Sequence, residues 1–150
     1  MKIRWNILIA SFVIVFLVAS VGSYFTQNVK TTWYETIKPG ITPPNFVFPI
    51  VWSILFALIA LSLYFSWNKA KDKSELALAF GANFFVNITW SVIYFYLKNP
   101  LFAFFNIILL IASIGILIYV TRKTDKLSSW LLVPYLLWGL FASILNYLSI

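Results

Sequence analysis

The sequence predicts an all-α integral membrane protein, a bundle of five transmembrane helices in a single domain spanning residues 1–150. Three observations carry that prediction. Of 150 residues, 62% are hydrophobic and only 10% charged, whereas a soluble domain carries about 25% charged residues. Five apolar runs have the length of about 20 helical residues needed to cross about 30 Å of hydrocarbon. Together these runs use most of the chain, which leaves no room for a separate extramembrane domain.

The predicted spans are Asn6–Thr26, Phe46–Trp67, Glu75–Leu97, Pro100–Thr121 and Ser128–Ser149. None contains Asp, Lys or Arg, and Glu75 stands at an end. The first run, MKIRWNILIASFVIVFLVAS, has a basic start and small residues near Ala19–Ser20, so a cleaved leader is one reading. The apolar stretch continues through Phe25, longer than a leader core, and a retained helix is the expectation. Asp72-Lys-Ser-Glu75 reads as a capping box for the third span, and Asn99-Pro100 as an N-cap followed by proline at the first helical position. Short connections after the second, third and fourth spans predict antiparallel neighbours in each case. Between the first and second spans lies WYETIKPGITPP, Trp33 to Pro44, whose glycine and three prolines argue against a regular helix.

Charge gives direction. Lys2, Arg4, Lys69, Lys71, Lys73, Arg122, Lys123 and Lys126 fall on one side of the predicted bundle, against Lys30, Lys38 and Lys98 on the other. The positive-inside rule then sets the N-terminus in the cytoplasm and the C-terminus outside, in the cell membrane of a prokaryote. The net charge of +7 is spread between apolar runs, a pattern of topology signals and lipid-headgroup contacts rather than of nucleic-acid binding. Cysteine and histidine are absent, which excludes disulfides, thiolate zinc sites, histidine ligation of iron and His-based nucleophilic triads.

Polar and aromatic residues form stripes. Asn83, Asn87, Trp90 and Tyr94 share one face of the third span, and Tyr135, Trp138, Ala142 and Asn146 one face of the fifth. Phe48, Trp52, Phe56 and Ile59 do the same on the second. Two readings fit: amides and indoles joining helices, or an aromatic interior that holds a ligand. Trp5, Trp67 and Trp130 read instead as an interfacial belt. Pro49 falls in a first helical turn, where a missing N–H costs little, while Pro134 lies inside the fifth span and is expected to bend it. Ala77 and Gly81 make a small-xxx-small pair suited to packing a second copy.

The loop WYETIKPGITPP, with FPIVWSILFALIA, NFFVNITW and LLVPYLLWGLFASILN, together resembles the TspO/MBR family: tryptophan-rich sensory proteins and mitochondrial translocator proteins, once called peripheral benzodiazepine receptors. The resemblance runs in order from Trp33 to Asn146. It implies a five-helix bundle, often dimeric, whose proline-rich first loop caps a cavity. It also implies binding of porphyrins such as protoporphyrin IX and haem, of benzodiazepine-site ligands, and in some members of sterols. Carried over, the pocket would comprise Trp33, Tyr34, Pro43, Pro44, Trp52, Phe56, Asn83, Asn87, Trp90, Trp138 and Ala142. No cofactor or metal is required; the porphyrin is the ligand. Four departures stand out. Ile41 replaces a loop aromatic, Ile88 a frequent polar residue and Asn106 a frequent acid, and no basic residue follows Tyr147 to complete the sterol pattern.

The resemblance leaves three functions to weigh. A membrane receptor or sensor would hold a flat tetrapyrrole by ring stacking. Because Met1 is the sole methionine, iron would find no usual axial ligand except a tyrosine. A light-dependent porphyrin-degrading enzyme would depend on Trp33 and neighbouring indoles, since no acid–base pair or metal set is present. Ion-coupled transport is disfavoured by the absence of ionisable groups within the spans and of internal repeats; passive translocation is not.

Overall fold

The computed structural model describes residues 2–27 and 31–150; Met1 and Lys30, both used in the sequence reading, lie outside these. Seven helices follow in order. They are α1 (Trp5–Thr26), α2 (Thr32–Ile37), α3 (Val47–Lys69), α4 (Lys73–Ser91, continued by a π turn over Val92–Tyr96), α5 (Pro100–Thr124), α6 (Lys126–Leu131) and α7 (Val133–Leu148). No strand occurs among the described residues. Five helical stretches are long and apolar enough to cross a membrane: α1, α3, α4 with its π turn, α5, and α6 with α7. Each matches a predicted span to within a few residues at either end.

Burial follows the logic of a lipid solvent. Ile59, Ala60, Leu76, Ile107, Ile114, Leu117 and Leu132 are sealed in the centre, while Phe16, Leu78, Phe85, Phe105, Leu109 and Leu137 stand exposed around the outside. Such a belt of large apolar side chains suits acyl chains, and each helix satisfies its own backbone within it.

The helices form a ring in the order α1, α3, α6–α7, α5, α4, back to α1. The expectation that α3 and α4 are antiparallel neighbours is therefore corrected. Their three-residue connection holds only their ends together, and α1 packs against both and separates them over the rest of their length. The inward face of α1 is small, with Ser11, Val15 and Gly22 buried, which lets it fit this slot as part of the bundle.

Helix ends show what the local sequence achieves. Asp72 caps α4 by accepting from the Ser74 N–H at 2.9 Å. The other half of the predicted capping box is missing, because Glu75 pairs with Lys123 of α5 at 3.1 Å instead of turning back. Asn99 caps α5 through the Phe102 N–H at 3.1 Å, with Pro100 in the first turn as expected. Before it, the π turn closes with the Leu97 N–H donating to the Val92 carbonyl at 2.9 Å, and Lys98 takes a left-handed φ of 52° to reverse the chain. Pro134, expected to bend the fifth span, goes further and interrupts it: α6 ends and α7 begins at Leu132. The belt reading holds for exposed Trp5 and Trp130. Trp67, at the end of α3, is half-buried: it packs on the core on one side while its ring lies under the Lys73 ammonium at 5.6 Å.

The loop is also corrected. Thr32–Ile37 is a short helix, and only the stretch from Lys38 onward is non-helical. All of its prolines come after that turn, so nothing prevents Trp33–Thr36 from coiling, and the Glu35–Lys38 ion pair at 2.6 Å joins its last turn to the extended stretch.

The end bearing α1's start is stitched across helices. The Arg4 N–H donates to the Tyr64 hydroxyl at 3.1 Å, and buried Ser62 donates to the Ser128 carbonyl at 2.8 Å. Asp125, 8% exposed, accepts from Lys69 at 2.6 Å and from the Ser128 N–H at 3.0 Å. Partial burial works against its charge, but the bonds from Lys69 and Ser128 outweigh this and hold the carboxyl below its usual range. Asp125→Ala should destabilise the protein by about 1–2 kcal/mol, as loss of a helix cap does. Because the folded pKa is depressed, this contribution is complete above the ordinary carboxylate pKa of about 3.9 and is lost as the pH falls through the folded value. Thermal unfolding in detergent from pH 7 to pH 3 checks both: the gap between wild type and variant should be constant above about pH 4 and narrow below it.

A candidate ligand cavity between four helices

At the opposite end α1, α3, α4 and α7 stand apart around a cavity of about 420 Å³, within the roughly 300–1,000 Å³ common for small-molecule sites. Its floor is a buried polar bridge. The Tyr135 hydroxyl of α7 donates to Asn83 Oδ1 at 3.1 Å and accepts from Asn87 Nδ2 at 2.9 Å, both on α4. Asn83 Nδ2 donates onward to Ser113 Oγ of α5 at 2.9 Å. Buried amides in lipid need such partners, and here they tie α4, α5 and α7 at one depth.

Above the floor the walls are aromatic. Trp52 lies over Phe56 at 5.4 Å and meets Tyr135 edge-on at 6.3 Å, while Phe48 meets Trp138 edge-on at 5.8 Å. Across from them Trp90 stacks on Tyr94, centroids 5.2 Å apart at 22°. The Trp90 indole N–H donates to Asn146 Oδ1 at 3.0 Å, Asn146 Nδ2 donates to the Pro100 carbonyl at 2.8 Å, and the Tyr94 hydroxyl donates to Ser149 at 3.0 Å. This wall is locked by the last turn of α7.

The lid is seated on it. Tyr34 of α2 is 5% exposed and packs against Tyr94 and Phe95 at 6.5 and 5.8 Å. The π turn makes this seat: its wider i→i+5 winding reduces the rotation between successive residues, so adjacent Tyr94 and Phe95 are both buried toward the lid. Burial, then the nearby Tyr94 and Glu35, push the Tyr34 phenol up to about 12, so it stays protonated at neutral pH.

Residues 11–149 match the TspO/MBR family. The chain belongs to that family. It is 39% identical to the tryptophan-rich protein TspO of Archaeoglobus fulgidus over 143 residues, covering 93% of this chain and 92% of that one. It is 30% identical to the tryptophan-rich sensory protein of Cereibacter sphaeroides, covering 77% and 73%, and 26% identical to the human translocator protein, covering 85% and 78%. With its five apolar spans, it is an integral membrane member of the TspO/MBR family.

Of the residues that the family resemblance singles out, Tyr34, Trp52, Phe56, Asn87, Trp90, Trp138 and Ala142 line this one cavity. Asn83 does not; it lies fully buried beneath, in the floor. Trp33 packs edge-on against Tyr94 at 5.9 Å, behind the lining, and Pro43 and Pro44 also lie outside it. The stripes explain the division, because each runs from packed to open: Asn83, Tyr135 and Ile59 are buried at the deep end, and Tyr94, Asn146 and Phe48 line the cavity at the shallow end. Sequence reasoning missed the contribution of α1, whose Ala19, Gly22, Ser23, Thr26 and Gln27 form one wall. Small residues at Ala19, Gly22 and Ser23, spaced i, i+3 and i+4, were the available signal. Among the described residues no group of His, Cys, Asp or Glu could hold a metal. Asn106 is buried with its Oδ1 unpartnered, and Ile41 is exposed.

Replacing Tyr135 by Phe removes two hydrogen bonds and leaves the Asn83 carbonyl oxygen and an Asn87 N–H buried without that partner. The expected cost is about 1–3 kcal/mol for each group left unsatisfied. Thermal unfolding in detergent should show the drop, and Tyr135→Leu should be no milder.

Proposed function

We propose that the protein is a membrane receptor for tetrapyrroles such as protoporphyrin IX and haem, and for other flat hydrophobic molecules of the benzodiazepine-site kind. The carrying observation is the convergence of Trp52, Trp90 and Trp138 from three helices on one cavity. Flat π-faces favour flat partners, each well-placed aromatic contact contributing about 0.5–1.5 kcal/mol beyond the area it buries. The names of relatives, tryptophan-rich sensory protein and translocator protein, fit this reading.

Binding of haem and of the metal-free ring should be similar. Among the described residues, Tyr34 and Tyr94 are the only lining side chains of a type that ligates haem iron. The Tyr94 hydroxyl is engaged with Ser149, and the Tyr34 ring is buried against Tyr94 and Phe95. Trp33, on which a light-driven degradation would depend, sits behind the lining, so binding is favoured over catalysis. The reading includes an N-terminus in the cytoplasm, with the lid at the outer face, because the basic residues crowd the end away from the cavity. It also includes a homodimer through exposed Ala77 and Gly81 of α4, where a Cβ on Gly81 would meet only open space.

Tryptophan-quenching titrations test the proposal. Protoporphyrin IX and haem should bind within about threefold of each other, and Trp52→Ala or Trp138→Ala should each weaken binding by roughly fivefold to tenfold. A strong preference for haem, or indifference to both substitutions, would refute ring stacking as the basis of binding.

A further inference from the structure

The lining of the cavity holds no Lys, Arg, Asp or Glu among the described residues. Four of its inner polar side chains are engaged with the protein itself. Asn87 donates to Tyr135, Trp90 to Asn146, Asn146 to Pro100 and Tyr94 to Ser149. A carboxylate carried into this interior would lose its water and meet no counter-charge, which is strongly unfavourable.

The mouth is different. It lies between the end of α1 and the start of α3, where Ser23, Gln27 and Asn45 are exposed lining residues. Asn45 Nδ2 donates to Glu35 Oε1 at 3.3 Å, and Glu35 Oε2 pairs with the Lys38 ammonium at 2.6 Å. Among the described residues, this part of the rim carries one acid and one base, which pair with each other and are both partly exposed. Bonds from Lys38 and then Asn45 hold the Glu35 carboxyl below its usual range.

We infer that the cavity encloses the uncharged flat body of its ligand and leaves any carboxylates in the mouth, beside Asn45 and the Glu35–Lys38 pair. This assignment rests on the tetrapyrrole reading and adds an orientation to it: the edge of the ring that bears acids faces outward. It also names a specificity element. Because its two charges cancel, the Glu35–Lys38 pair adds no net charge beside the mouth, so this element does not favour a diacid over an uncharged ligand of the same shape.

The test compares protoporphyrin IX with its dimethyl ester by tryptophan quenching, on protein in nanodiscs of zwitterionic lipid. Wild type should bind the two within about threefold of each other. Glu35→Gln frees Lys38 and should tighten the diacid by about twofold to fivefold, the range an exposed charge pair allows. Lys38→Gln frees Glu35 and should weaken the diacid by a similar factor, and the double variant should return to the wild-type value. All three should leave the ester unchanged, and the effects should fade in about 0.5 M salt. Either of two results overturns the orientation: a diacid preference of tenfold or more in wild type, or single variants that do not move the diacid. Failure of both compounds to quench any variant would sink the tetrapyrrole reading itself, and this inference with it.

Discussion

The Tyr135 hydroxyl, held between Asn83 and Asn87, divides this molecule into a packed half and a hollow half. Below it Ile59, Leu76, Leu117 and Leu132 fill the space between the helices. Above it the same helices are kept apart by indoles and phenyl rings that meet edge to face and leave room between them. A polar bridge at that depth is tolerated in lipid only because all three groups are partnered. Its fixed geometry sets the level at which the helices begin to open.

Two further devices keep the hollow half from collapsing. Cross-helix bonds at the far end, from Lys69 to Asp125 and from Lys123 to Glu75, with the Arg4 amide on Tyr64, hold the base of the bundle closed. The helix ends there are fixed in spacing while the other ends are free to spread. On the cavity side, Asn146 and Ser149 lock Trp90 and Tyr94 against the last turn of α7, and the stacked pair then provides the seat for Tyr34. Lid, wall and C-terminal turn are thus mechanically one unit.

Much of this was legible in the residues. Apolar runs gave the five spans, and the stripes through Trp52, Asn87 and Trp138 pointed to faces that do meet around one space. Periodicity could not say how deep along each stripe the packing ends, so Asn83 looked like a pocket residue when it is part of the floor. Nor did it find the wall from α1, because the small-residue spacing of Ala19, Gly22 and Ser23 does not by itself separate a cavity wall from close helix packing. The short helix at Trp33–Thr36 was hidden by prolines that act only after it. The Glu75 half of the expected cap was lost to Lys123, a partner on another helix that no local motif reveals.

The sequence alone determined the solvent, the number of spans, the break at Pro134 and the set of aromatic faces, because each follows from composition or from covalent limits on a single helix. Tertiary structure decided the ring order that separates α3 from α4, the depth of the floor, the α1 wall and the seating of Tyr34 on the π turn. Those depend on which side chains fit together across helices. Packing of that kind is a property of pairs distant in the chain, and no local pattern encodes it.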